Sequence, residues 1–252
     1  MKRLLNMVKM ASRWRYAFSL IVVAGSLAAA SDAKAVVRIM PLGDSITASM
    51  DGQASYRYWL WKKLSTAGAS VDFVGSQQGV SFGSPRFADF DQNHEGHTGW
   101  TTSQVIPNVT RWTRASRPDL VLLDLGANDV VQGRPSKNTI MQLKMIVMLL
   151  RSVNPNVKVL LAKLTPMAGY ETQVAELNSQ IGPLATQLSR PGSQVMVVDL
   201  ASGFNLAADV GDGVHPTEAG EKLIANRFYR LILPMLVLLH QPAKHPALSV
   251  QY

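Results

Sequence analysis

Apolar positions along this chain recur in two alternating rhythms. Val36-Val37-Arg38-Ile39-Met40-Pro41-Leu42 is a short, mostly apolar run that stops at Gly43, the pattern of a buried strand. From Ser55 to Leu64, the positions Tyr56, Trp59, Leu60 and Leu64 instead follow helical spacing. Val71 to Gly75 predicts a second strand, and Leu120 to Gly126 is the clearest buried one. Val157–Leu164 and Gln194–Leu200 complete a set of five. Between them, helices are predicted at Ser103–Ala115, with Pro107 disturbing its first turn, and at Ser136–Val153, with Ser136 as its N-cap. Two more follow at Glu171–Leu188 and Thr217–Leu233, the latter capped by Thr217. Residues 76–100 are rich in Gly, Ser, Gln, Asn and Asp and are expected to form a loop.

Strands alternating with helices predict βαβ units: one α/β domain whose parallel sheet is covered on both faces. In such sheets ligands bind beyond the carboxyl ends of the strands. That edge is therefore where chemistry is sought.

The first 35 residues follow a different pattern. Lys2, Arg3, Lys9, Arg13 and Arg15 precede an uncharged apolar run, Tyr16 to Ala30, and then Ala33-Lys34-Ala35. This is the layout of a secretory signal peptide with its cleavage site, and the run is short for a membrane span. The expected organisation is a signal peptide at 1–35, the α/β domain at 36–233 and a tail at 234–252. The expected localisation is secreted or periplasmic, with no stable membrane insertion after cleavage.

That division alters the charge. The full chain carries 25 Lys/Arg and 17 Asp/Glu, a net of +8. Six of those bases and one acid fall within residues 1–35, which leaves 19 and 16 and a net of +3. No basic run in the remainder forms a nucleic-acid patch. The chain has no cysteine, which excludes a lipobox, a thiol nucleophile and thiolate metal sites.

Candidate chemistry lies in four short blocks. Gly43-Asp44-Ser45 follows the first strand, and Gly126-Ala127-Asn128-Asp129 follows the third. Asp212-Gly213-Val214-His215 precedes the last helix, and His97-Thr98-Gly99-Trp100 ends the long loop. Ser45 is a candidate nucleophile, and His215 the base that would take its proton. Asp212, three residues before His215, would orient the ring. The Asn128 amide and the Gly99 N–H are candidate oxyanion donors. Taken singly, each block is also an ordinary turn: Ser45 an N-cap, Asn128 a left-handed turn residue, Gly99 a turn glycine. Asp44 and Asp129 are expected to bond local backbone. Their joint placement on one sheet edge, with His215 170 positions after Ser45, favours the catalytic reading. His94-Glu95-Gly96-His97 lacks the spacing of a helical zinc pair, so no metal or other cofactor is expected.

The four blocks, in this order, resemble the SGNH (GDSL-type) hydrolase superfamily. That resemblance implies a three-layer, flavodoxin-like α/β/α sandwich with a five-stranded parallel sheet. It assigns Ser45, Asp212 and His215 as the triad and Ser45, Gly99 and Asn128 as the oxyanion hole. The stretches Ile39 to Thr47, Tyr56 to Leu64, Val71 to Ser76 and Glu95 to Trp100 more narrowly resemble carbohydrate esterase family 3 acetyl xylan esterases. Departures are Ala127, where Thr is common, and Ala48-Ser49, where Gly is common. The implied activity is hydrolysis of acetyl esters on a polysaccharide such as acetylated xylan, or on another small ester. Trp100 is a candidate to stack on a sugar ring, or else packs beneath its loop. The rivals are an esterase directed at lipids or thioesters, acyl transfer to an acceptor other than water, and a non-catalytic carbohydrate-binding module.

Overall fold

Alternation along each strand decides which face of the sheet its apolar side chains enter. The computed structural model describes residues 35–239. The expected signal peptide, Ala35 apart, and the stretch beyond Leu239 lie outside the described residues.

The chain runs β1 (Val37–Gly43), α1 (Ser45–Ala48), α2 (Tyr56–Thr66), β2 (Val71–Phe73), β3 (Gln77–Gln78), β4 (Asn93–Gly96) and α3 (Thr102–Ser116). It continues with β5 (Leu120–Asp124), α4 (Ala127–Val131), α5 (Ser136–Val153), β6 (Lys158–Lys163), α6 (Glu171–Leu188), β7 (Val195–Asp199), α7 (Leu206–Asp209) and α8 (Glu218–Leu239). The five expected strands are all present and parallel: β2 pairs with β1, and β1, β5, β6 and β7 follow in order.

Odd and even strand positions feed two separate cores. Val37, Ile39, Leu120, Leu122, Leu160 and Ala162 pack against Tyr56, Leu60 and Leu64 of α2 and Ile224, Phe228 and Ile232 of α8. Met40, Leu42, Val121, Leu123, Val159 and Leu161 pack against Val105, Val109 and Trp112 of α3, Leu143, Ile146 and Leu150 of α5, and Ile181 and Leu184 of α6. The result is helix, sheet, helix. Burying one such leucine contributes about 1.5–3 kcal/mol, so the two cores hold the strand ends in fixed register.

Three local expectations are revised. The stretch 76–100 is not all loop. β4 lies parallel to the end of β1, with Leu42 opposite Glu95 and Gly43 opposite Gly96, and β3 runs antiparallel to β4. β4 is polar yet buried, because its side chains find partners: His94 Nδ1 accepts from Gly96 N–H at 3.0 Å, and Glu95 accepts from Ser76 N–H at 2.7 Å. Ser136 is the first residue of α5, with Pro135 at the cap, and its hydroxyl donates to Glu176 of α6 instead. The last helix passes Pro234 and continues to Leu239, beyond the expected end at Leu233. Among the described residues no helix is long and apolar enough to cross a membrane.

Candidate active site

The register at the carboxyl edge brings the blocks together before any side chain is considered. Gly43, the last residue of β1, lies opposite Asp124 of β5 and Gly96 of β4. The His97 N–H also donates to Gly43 O at 3.0 Å. Ser45, Gly99 and Asn128 therefore each lie two to four residues past aligned strand ends.

The chain leaves β1 through a crowded turn. A Cβ on Gly43 would lie 2.3 Å from Thr47 Oγ1 and 2.4 Å from Asp124 O, so only glycine fits there. Asp44 caps α1 by accepting from Ile46 N–H at 3.0 Å, the local backbone role expected of it. Ser45 opens this helix, so its N–H has no acceptor one turn back and is available to a ligand. Ser45 itself is buried to within 7% of its surface.

Across the edge, Ser45 Oγ lies 2.9 Å from His215 Nε2, and His215 Nδ1 lies 2.7 Å from Asp212 Oδ2. A carboxylate only accepts, so in the neutral ring Nδ1 carries the proton and Nε2 accepts from the Ser45 hydroxyl. Asp212 Oδ1 also accepts from His215 N–H at 2.8 Å and Val214 N–H at 3.0 Å. Partial burial pushes the Asp212 pKa up, but these donors outweigh it and bring it down to about 2. The loop is closed by Gly211 N–H donating to His215 O and Ala168 N–H donating to Gly213 O, each at 2.8 Å. Its acid nevertheless faces water: the Asp212 side chain is 60% exposed.

Asn128 lies within helix α4, and the positive φ of this turn (129°) belongs to Gly126, so the left-handed alternative for Asn128 does not apply. Its amide donates one hydrogen to Trp100 O at 3.0 Å and has a second to offer. Gly99 adopts φ +78°, and among the described residues its N–H has no protein acceptor. Asp129 departs from its expected local role. It bridges to the start of α3, accepting from Thr102 N–H at 2.9 Å and Thr102 Oγ1 at 2.7 Å, and so pins the Gly99 loop against α4.

The aromatic rings above α3 form a stack. Trp100 lies on His97 (centroids 4.4 Å apart), and His97 lies on Trp112 (4.5 Å). Half-buried Trp100 thus has one face against His97. His97 Nε2 is bound to Glu95 Oε1 at 2.7 Å. Among the described residues no group of three His, Cys, Asp or Glu could hold a metal ion.

Two buried residues that the motifs did not flag hold the Ser45 turn from behind. Arg57, fully buried, donates from Nε to Thr47 O at 2.8 Å, from Nη2 to Ala48 O at 3.1 Å, and from Nη1 to Gln92 O at 2.9 Å, and also bonds Gly79 O. Burial brings its pKa down to about 10. Glu221 accepts from Ser55 N–H at 2.9 Å and from Trp59 Nε1 at 3.3 Å, with Ser49 Oγ at 3.5 Å. Burial pushes Glu221 up to about 7, against those donors. The sequence carries little trace of either: Arg57 stands three residues before Leu60 and seven before Leu64, on their apolar helical face. Beneath the turn, burial also raises Asp44 to about 7. Asp124 is held well above the usual carboxylate range by burial and by Asp44, and its Oδ2 has no partner among the described residues.

The model of the GDSL-like lipase/acylhydrolase family matches residues 42–223. A family 3 carbohydrate esterase from Clostridium thermocellum superposes with a TM-score of 0.73 at 33% identity, covering 82% of this chain and 100% of that one. A carbohydrate esterase family 3 protein from Talaromyces cellulolyticus gives a TM-score of 0.73 at 30% identity, covering 80% and 99%. A multidomain esterase from Ruminococcus flavefaciens is 28% identical over 213 residues, 75% of this chain. The chain spans 28% of that relative's length.

Proposed function

Because the chain belongs to the GDSL-like lipase/acylhydrolase family and is a carboxylic ester hydrolase, we propose that it removes acetyl groups from a carbohydrate, with acetylated xylan as the preferred substrate class. The supporting observation is the continuous relay Asp212–His215–Ser45, with contacts of 2.7 and 2.9 Å, set beside unengaged N–H donors.

In this reading Ser45 Oγ attacks the acyl carbon while His215 Nε2 takes its proton. Asp212 holds the ring in the required tautomer and stabilises the imidazolium. The oxyanion is received by the N–H groups of Ser45 and Gly99 and the free hydrogen of the Asn128 amide. His215 then protonates the departing sugar oxygen, leaving acetyl-Ser45. Water, deprotonated by His215, attacks that ester, and acetate leaves as Ser45 regains its proton. The leader-like residues 1–35 fit export before this chemistry, and the acetylated polysaccharide would be met outside the cytoplasm.

The test is acetate release from acetylated xylan. The wild type releases acetate, and Ser45→Ala lowers the rate by about 10⁴-fold or more. A preference for long-chain nitrophenyl esters would reassign the substrate to lipids. Saturable xylan binding without acetate release would reassign the chain to a binding module.

A further inference from the structure

Phe82 is out of place by every ordinary rule. It is 83% exposed, the most exposed large hydrophobic side chain among the described residues. Its φ is +63°, a left-handed conformation that a bulky residue adopts only when its surroundings impose it. A glycine there would avoid both costs.

The backbone around it is tightly fixed. Val80 and Gly83 form an antiparallel bridge, so Ser81 and Phe82 make a tight turn. Ser81 N–H donates to Ser49 O at 3.1 Å, and Ser81 Oγ lies 2.6 Å from Thr98 Oγ1. On the far side, a Cβ on Gly83 would lie 2.0 Å from Asp51 Oδ1, the atom that accepts from Ser84 N–H at 2.9 Å. Gly52 N–H donates to Ser84 O, also at 2.9 Å.

These tethers lead to the reacting groups. Ser49 ends the helix that Ser45 begins, its N–H donating to Ser45 O at 2.7 Å. Thr98 immediately precedes Gly99. The turn thus joins the segment bearing the candidate nucleophile to the segment bearing a candidate oxyanion donor, and displays an aromatic ring to solvent at that junction. Asp51, beside this turn, is engaged by backbone, and Arg86 is paired with Glu218 at 2.6 Å. Trp100, the other aromatic candidate, has one face taken by His97.

We propose that Phe82 is a substrate-binding platform on the rim of the active site, stacking on the apolar C–H face of a neutral pyranose ring next to the acetylated sugar. This rests on the carbohydrate-esterase reading and extends it from the acetyl group to the polymer backbone.

The experiment is calorimetric titration of an acetylated xylo-oligosaccharide into Ser45→Ala protein, which preserves the ester, and into the same protein carrying Phe82→Gly or Phe82→Trp. Phe82→Gly is expected to weaken Kd roughly fivefold or more, while Phe82→Trp keeps it. Phe82→Gly should melt no lower than its parent, because glycine takes the left-handed conformation without strain. An unchanged Kd, absence of saturable binding by the parent, or loss of binding together with a lower melting temperature would overturn the platform. Acetate release by the wild type is scored separately: Phe82-dependent binding without acetate release would overturn the catalytic reading and leave the platform standing.

Discussion

The two sides of the candidate site are built in opposite ways. The nucleophile side is a buried turn held from below by polar groups: Arg57 on the carbonyls of Thr47 and Ala48, Glu221 on Ser55 N–H, and Asp44 capping Ile46. The base side is a surface loop whose acid is 60% exposed and which is set by its own backbone bonds. The difference separates two demands of the proposed mechanism. Ser45 Oγ must stay where the candidate oxyanion donors converge, and its turn is buried and clamped. His215 must take up and return a proton, so its loop only has to hold a ring orientation.

Exchanging the base tests this contrast most severely. His215→Ala is expected to lower ester hydrolysis by about 10⁴-fold or more while barely moving the melting temperature, because the ring lies on an exposed loop. Paired kinetics and thermal melts would check it, and a large loss of stability would break the contrast.

On the other side the order of effects reverses. Arg57→Met leaves three buried carbonyls and one part-buried carbonyl without their donor, and is expected to cost about 3–5 kcal/mol of unfolding free energy. Urea denaturation would measure it. A loss below about 1 kcal/mol would show that the turn stands without its clamp.

The smallest effect concerns pH. Glu221 titrates near 7 in the folded protein and near 4.5 when unfolded. Between those values the folded state holds the extra proton, so its contribution to stability is complete below the lower value and is lost as pH rises through about 7. One proton corresponds to a slope of at most about 1.4 kcal/mol per pH unit. Glu221→Gln should flatten the fall in melting temperature between pH 5 and 8. A residual slope of the same sign is expected from Asp44, which is raised to about 7 by its own burial. Asp212 runs the other way: its contribution is present above the usual aspartate range and is lost as pH falls through about 2.

What could be read from the chain follows the same division. Ser45 and Asn128 were legible as candidates because they stand just past apolar runs, where periodicity stops, and Asp212 and His215 because their spacing before the last helix is the remaining signal. The five parallel strands were legible for the converse reason, being almost uninterrupted apolar stretches. Arg57 and Glu221 were not, because their partners are backbone groups up to 166 positions away that only folding brings near. β4 was hidden because a buried strand containing His94 and Glu95 reads as a polar loop until Ser76 and Gly96 satisfy it. The exposed ring of Phe82 is invisible for a third reason: left-handed backbone at a non-glycine residue leaves no mark in the sequence.

The central claim is that Ser45 carries the acyl group. Mixing wild-type protein with excess acetylated xylo-oligosaccharide, quenching in acid and mapping peptides by mass spectrometry tests it directly. The account predicts a single acetyl group on the peptide containing Ser45, absent from Ser45→Ala protein. Steady acetate release with Ser45 unmodified, or undiminished release by Ser45→Ala, would contradict it.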